Sequence, residues 1–201
     1  DSTGGVPTFS LKSLPAALAG ADKPTPGDQL GVLGRGANNQ KSGRLQFCPA
    51  DKDGCISTFS LPDESSYVPP WTYEPNALEA TSSFEARKRA LLAADEAANG
   101  GAETRSRKSL EAAQAELEAV LQAYGPACTL VKSEPRYVYA EFREGGTVDD
   151  VEFLFSLDAP IVGYRSSSRG GGGGTRNRER IRSLRKSLSA SGWKSVGRIV
   201  G

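Results

Sequence analysis

Three carboxylates lie within one short apolar segment of the chain, at Asp149, Asp150 and Glu152. Side chains alternate along a β-strand, so Asp150 and Glu152 share one face there and Asp149 lies on the other with Val151. Two carboxylates on one face are the residue types that acid–base catalysis or cation binding needs. The alternative, which we favour, is a solvated strand face or a set of partners for nearby arginines, because most charged side chains are exposed.

A basic segment follows on the next predicted strand. Arg165 and Arg169 flank three serines, including Ser166 and Ser168. Two guanidiniums with hydroxyl groups can clamp a phosphate or a carboxylate. The same arginines can instead pair with the acidic strand, because a hairpin places both sets of charges near one end of the sheet. We favour this internal network, since like charges need compensation when they are partly buried.

A run of glycines, Gly170–Gly174, leads from the basic segment into an arginine-rich helix. Such a loop is found at phosphate sites, where backbone N–H groups face the anion, but the Walker and dinucleotide-binding motifs are absent. We therefore expect a flexible connection. The basic residues of the helix are Arg176, Arg178, Arg180, Arg182, Arg185 and Lys186. Aromatic residues are not interleaved with these basic residues, so no nucleic acid partner is expected. The alternative partners of the basic helix are an anionic lipid surface, an acidic protein and the chain's own acidic strand.

Composition excludes several classes of site. The chain has no His, which excludes Ser-His-Asp triads, Cys-His catalysis and the usual zinc sites. We expect a non-catalytic protein without a cofactor or a metal. No apolar run of about 18 residues is present, so no transmembrane segment is predicted. Met is also absent, and we expect that Asp1 is not the translational start, because a targeting segment has been removed or the chain has been trimmed.

The chain has three cysteines. Cys48 and Cys55 close a short polar loop that can bring their side chains together, and we expect a disulfide, which fits an oxidising compartment. The alternative is two free thiols. Cys128 lies in a strand-like segment and is expected to be a small core residue.

The remaining pattern predicts one α+β domain over residues 47–201, preceded by an irregular N-terminal arm over residues 1–46. The domain is a small antiparallel sheet covered by a helical hairpin and a C-terminal helix, because short turn-like links join neighbouring strands. The hairpin is predicted over residues 82–124, the sheet over residues 128–165 and the basic helix over residues 176–190.

The arm is rich in Pro and Gly and would be disordered alone. Its best ordered piece carries Phe9, Leu11 and Leu14. We expect these side chains, together with the loop around Trp71, to bind a partner protein.

The motifs, in this order, resemble the domain-of-unknown-function 1499 family over roughly residues 43–190. The resemblance is carried by Gly43-Arg44-Leu45, Cys48-Pro49, Cys55-Ile56-Ser57-Thr58, Asp149-Asp150-Val151-Glu152-Phe153, Tyr164-Arg165-Ser166-Ser167-Ser168-Arg169 and Asn177-Arg178-Glu179-Arg180-Ile181. The chain departs from the family twice. Gly170–Gly174 lacks the family's polar side chains, and the helical block is longer, which suggests an insertion around residues 99–107.

The resemblance implies no established enzyme activity, and the chloroplast members of the family resemble lumenal thylakoid proteins. We therefore expect a non-catalytic auxiliary, assembly or repair protein at the lumenal side of photosystem II, peripheral to the membrane. The alternative is a module or enzyme for a small phosphate or carboxylate ligand, using Arg165, Ser166, Arg169, Asn177 and Arg178.

Overall fold

The computed structural model describes residues 30–32, 43–61, 63–75 and 107–196. Over these ranges the chain forms a mostly antiparallel sheet with two α-helices, which confirms the predicted α+β class. The strands are β1 (Cys55–Ser57), β2 (Trp71–Thr72), β3 (Cys128–Glu134), β4 (Tyr137–Glu144), β5 (Thr147–Phe155), β6 (Ile161–Ser168) and β7 (Lys194–Ser195). The helices are α1 (Leu110–Ala123) and α2 (Gly174–Leu188), and a 3₁₀ turn (Ser189–Ser191) follows α2.

The strand order in the described part of the sheet is β3-β4-β5-β6-β2-β7, with β1 also paired to β6. Strand β5 is hydrogen-bonded on both sides, and almost all of its residues are buried. Its register sets Asp149 opposite Ser168 and Glu152 opposite Arg165. The acidic residues therefore lie in the interior of the sheet and not on a solvated face, which corrects one of the two readings of this segment.

One face of the sheet is covered by α1 and α2. The N-terminus of α1 is capped by Ser109, whose side-chain oxygen accepts a hydrogen bond from the Ala112 N–H at 3.1 Å, and caps of this kind favour helix initiation. The core on this side joins Ala113, Leu117 and Leu121 of α1, Ile181, Leu184 and Leu188 of α2, and the aromatic residues of β5. The first helix of the predicted hairpin and the suggested insertion lie largely outside the described residues.

The opposite face is covered in large part by segments that precede the predicted domain boundary. Leu45 is buried with Tyr137, Tyr139 and Leu154, and Leu30, Val32 and Phe59 pack against this cluster. The sheet therefore recruits residues assigned to the arm by the sequence pattern, because its second face also needs an apolar cover. Phe9, Leu11 and Leu14 lie outside the described residues.

Across the described ranges, no helix has both the length and the apolar character to cross a bilayer.

The contact between α1 and the sheet can be tested at Leu117, which is fully buried. Leu117→Ala should lower the free energy of unfolding by about 3 kcal/mol, because it removes buried methyl groups and leaves a cavity. The measurement is urea unfolding followed by circular dichroism. The matched control is Gln122→Ala on the exposed side of the same helix, which should change stability by less than about 0.5 kcal/mol. Equal effects of the two substitutions would show that α1 does not pack as described.

Candidate functional site: two charge networks around strand β5

The helix-side network is a set of polar side chains between β5, β6 and α2. Its members are Asp149, Ser166, Ser168, Arg176, Asn177 and Arg180. Arg176 is bidentate on Asp149, with Nε and Nη2 each donating at 2.9 Å. Arg180 Nη2 donates to the same carboxylate at 2.6 Å, and the Ser168 hydroxyl donates at 2.5 Å. Asp149 is fully buried, so two guanidiniums and a hydroxyl compensate the loss of its hydration.

Asn177 joins the helix-side network to the loop before β1. Its Oδ1 accepts from the Ser166 hydroxyl and from Arg180 Nη1, both at 2.7 Å. Its Nδ2 donates to the Gly54 carbonyl at 2.8 Å and to Ser168 Oγ at 3.2 Å. All four hydrogen-bonding positions of this buried amide are therefore used within the protein, and the amide is not free for a ligand.

The outer-face network lies on the other side of β5. Its members are Tyr137, Tyr139, Glu141, Asp150, Glu152, Arg165 and Arg169. Arg169 donates to both oxygens of Asp150 at distances between 2.7 and 3.1 Å and to Glu141 at 2.5 Å. The Tyr139 hydroxyl donates to Asp150 at 2.6 Å. Arg169 therefore bridges two carboxylates on the neighbouring interior strands β4 and β5, an arrangement that holds these strands together.

Glu152 is the most enclosed carboxylate of the outer-face network. It accepts from the Gly31 N–H at 2.6 Å, from the Tyr137 hydroxyl at 2.7 Å and from Arg165 Nη1 at 3.4 Å. Burial raises its pKa, and the three donors offset this shift only in part. A raised carboxyl pKa is a feature of general acids. Here, however, the donors come from three segments of the same chain and the side chain is fully buried, which leaves no access for a substrate.

The predicted disulfide is present and holds the loop that Asn177 contacts. Cys48 and Cys55 are bonded, with Cα atoms 5.6 Å apart. Next to Cys55, the Gly54 carbonyl also accepts from the backbone N–H of Ser168 at 2.9 Å. The disulfide loop is thus hydrogen-bonded to both β6 and α2.

The end of the glycine tract lies against this loop, whereas Gly170 and Gly171 are exposed, and a flexible connection stays a prediction. A Cβ atom on Gly54 would lie 1.9 Å from the carbonyl oxygen of Gly172, so no larger residue fits there. Gly173, at the start of α2, has φ of 84°, a backbone conformation that L-residues with a Cβ rarely adopt. A Cβ atom on Gly174 would lie 2.6 Å from the Asp53 carbonyl oxygen, so the missing side chains of Gly54 and Gly174 permit the close contact between these two backbone segments.

Cys128 is half-buried beside the core. Burial raises the pKa of its thiol to about 11. The thiol is therefore protonated at neutral pH, as expected for a packing residue.

Two residues predicted as site residues lie outside both networks. Arg178 lies on another side of α2 and donates to the backbone carbonyl of Ser65. Trp71 is only 1% exposed and packs against Tyr164 and Phe153. The apolar core takes up this side chain, which leaves almost none of its surface exposed for a protein partner.

Sequence reasoning missed five members of the networks, among them Glu141, which accepts from Arg169 at 2.5 Å. Arg176 and Arg180 are spaced four residues apart, so they share a helix face, and this spacing is the signal that points to a common partner. Tyr137 and Tyr139 alternate as expected for a half-exposed strand, but both are buried. No local signal shows that a second layer covers this face.

These contacts bear on whether the clustered charges can bind an anion or a metal ion. Arg165 is paired with Glu152, and Arg169 is paired with Asp150 and Glu141. They do not converge as a clamp for a phosphate or a carboxylate. In the part of the chain that the structure describes, no group of three or more His, Cys, Asp or Glu side chains is arranged to hold a metal ion.

Comparison with known proteins identifies the chain at the level of a family. A family model with the description "Protein of unknown function (DUF1499)" matches residues 44–188, which is more than half of the 201-residue chain. No curated protein matches the chain, and no solved structure matches it.

The helix-side network can be tested by Asp149→Asn, which keeps the shape of the side chain and removes its charge. We expect a loss of about 3–5 kcal/mol in the free energy of unfolding, because two guanidiniums lose their buried counter-charge. Denaturant unfolding measures this loss. Asp158→Asn, at an exposed position, is the matched control and should change stability little. A loss below about 1 kcal/mol for Asp149→Asn would contradict the role assigned to the network.

The same carboxylate predicts a pH dependence. Burial alone would raise the pKa of Asp149, but Arg176, Ser168 and Arg180 outweigh burial and lower it below its usual value of 3.8. Its contribution to stability is therefore present above that value and is lost as the pH falls through the lower, folded-state pKa. The stability difference between wild type and Asp149→Asn should shrink between pH 5 and pH 2, as measured by urea unfolding at each pH. A difference that stays constant over this range would refute the assignment.

Proposed function

The chain belongs to the DUF1499 family of proteins of unknown function, and from this premise we propose that it is a non-catalytic accessory protein that binds a larger protein complex. The observation that carries the proposal is the internal pairing of the family's charged motif residues. Asp149, Asp150 and Glu152 each accept hydrogen bonds from arginines of the same chain. The motif is therefore a structural element, and the binding function lies in other surfaces.

Catalysis by these residues has little physical support. A general acid or base must reach a substrate proton directly or through one water molecule. The three carboxylates are 3% exposed or less, and their oxygens are held by arginine, tyrosine or serine donors. The alternative anion site built on Arg165 and Arg169 is weakened in the same way, because both guanidiniums already have carboxylate partners.

We further propose that the partner is a photosynthetic membrane complex and that the protein acts at the lumenal side of photosystem II, as an auxiliary, assembly or repair factor peripheral to the membrane. The support is the resemblance of the sequence motifs to chloroplast members of the family. The disulfide between Cys48 and Cys55 is consistent with an oxidising compartment.

Two kinds of surface are candidates for the contact with the partner. One is the apolar side chains of the N-terminal arm, at Phe9, Leu11 and Leu14. The other is the exposed hydrophobic residues Phe47 and Leu61, which are 42% and 54% exposed and lie in the chain on either side of the disulfide loop. Exposed apolar side chains of this size are frequent at protein interfaces.

The experiment is co-migration of the tagged full chain with photosystem II after mild solubilisation of thylakoids and native electrophoresis. We expect the protein in bands that contain photosystem II subunits. The combined substitution Phe9→Ala, Leu11→Ala and Leu14→Ala should reduce the bound fraction at least tenfold, since anchoring apolar side chains each contribute about 1–2 kcal/mol or more. Lys12→Ala, at a polar position of the same segment, is the matched control and should leave the bound fraction unchanged.

A wild-type protein that runs only as a free monomer and never with photosystem II would contradict the proposal. Equal binding by the triple variant would contradict the assignment of the contact to the arm and would leave the surface at Phe47 and Leu61 as the candidate.

A further inference from the structure

A cavity of about 150 Å³ lies between α2 and the strands β2, β6 and β7. It is separate from both charge networks. Its floor is apolar and includes Trp71, Tyr164 and Ile181, and its rim carries Arg178, Arg182 and Arg185. None of the residues that line it is acidic. An apolar space with three convergent positive charges is a binding site for an anion rather than a cation.

The rim arginines come from a different face of α2 than the arginines of the helix-side network. Residues 178, 182 and 185 are spaced by four and three positions, so they lie on one side of the helix. Arg176 and Arg180 point instead to Asp149. Among the residues that the structure describes, Arg182 and Arg185 have no carboxylate partner, and Arg178 contacts the neutral Ser65 carbonyl. The charge of the rim is therefore uncompensated within this part of the chain.

The floor of the cavity is held by an aromatic contact and a hydrogen bond. Trp71 and Tyr164 pack with their ring centroids 4.6 Å apart, and the Tyr164 hydroxyl is held by the Pro69 carbonyl at 2.7 Å. Burial raises the pKa of Tyr164, while the charges of Arg185 and Arg178 act in the opposite direction. Trp71 and Tyr164 line the same cavity of about 150 Å³ as Arg178 and Arg185, so one small ligand can contact both the floor and the guanidiniums.

We propose that this cavity binds a small organic anion with a compact apolar body and a carboxylate or phosphate head. The volume of the cavity fits the apolar body of this anion, since an apolar cavity of about 150 Å³ holds a benzene-sized molecule. The head lies at the rim, where guanidiniums can bind carboxylate and phosphate oxygens in bidentate geometry. This site does not depend on the proposed accessory function, and it does not use the paired Arg165 and Arg169.

The test is isothermal titration calorimetry of the full chain with benzoate, phenyl phosphate, benzyl alcohol and acetate. Benzoate or phenyl phosphate should bind saturably. The ligand with the lower Kd shows whether the site prefers a carboxylate or a phosphate head group. Benzyl alcohol lacks the charge and acetate lacks the apolar body, so each should bind at least about tenfold more weakly. Perturbation of one of the two Trp indole N–H signals in a nuclear magnetic resonance spectrum, assigned to Trp71, places the ligand in the cavity.

The matched variants separate the rim from general electrostatic attraction. Arg182→Gln and Arg185→Gln should each weaken binding about tenfold. Lys186→Gln removes one charge from the same helix at an exposed position outside the cavity and should leave binding unchanged. Circular dichroism should show that all three variants remain folded.

Several results would overturn the proposal. One is the absence of saturable binding of both benzoate and phenyl phosphate to the folded protein. Equal affinity for benzyl alcohol would show that the rim charges do not contribute. Equal weakening by Lys186→Gln would show that the anion responds to the overall charge of the helix and not to this cavity.

Discussion

The fold depends on the burial of Asp149, a charged side chain in the interior of a central strand. An ionised carboxylate without water is costly, and the cost is offset only by well-placed donors. Here the donors are Arg176 and Arg180 from α2 and Ser168 from β6. The position of α2 over the sheet is therefore fixed by its contacts with this one carboxylate. Asn177 of α2 also donates to the Gly54 carbonyl, which fixes the disulfide loop against the same helix.

The negative charges of strand β5 are compensated by arginines on both faces of the sheet. Asp149 is neutralised from the helix layer, whereas Asp150 and Glu152 are neutralised on the other face by Arg169 and Arg165. A shift of one residue in the strand would move each carboxylate to the face that lacks its partner. The charges thus specify the register of the sheet. The Gly31 N–H bond to Glu152 shows that the N-terminal segment takes part in this specification.

The helix α2 divides its arginines between two tasks. Arg176 and Arg180 face the sheet and are paired, while Arg182 and Arg185 face the cavity beside Tyr164. A count of basic residues along the helix treats them alike, although their environments differ. The paired residues hold the domain together. Arg182 and Arg185 have no carboxylate partner in the part of the chain that the structure describes, so they do not contribute to this pairing.

The sequence by itself determined the α+β class, the approximate extent of the part of the sheet that holds β3 to β6, the approximate bounds of α2, and the opposite faces of Asp149 and Asp150. These properties follow from the local geometry of strands and helices, which repeats every two or 3.6 residues. Only the tertiary structure decided that Asp149 pairs with Arg176 and Arg180, that Trp71 is core, and that the glycine tract packs against Gly54. Such contacts join residues that are distant in the chain. Which of these contacts form depends on how the helix and sheet layers pack, and the local periodicity of the sequence carries no information about that packing.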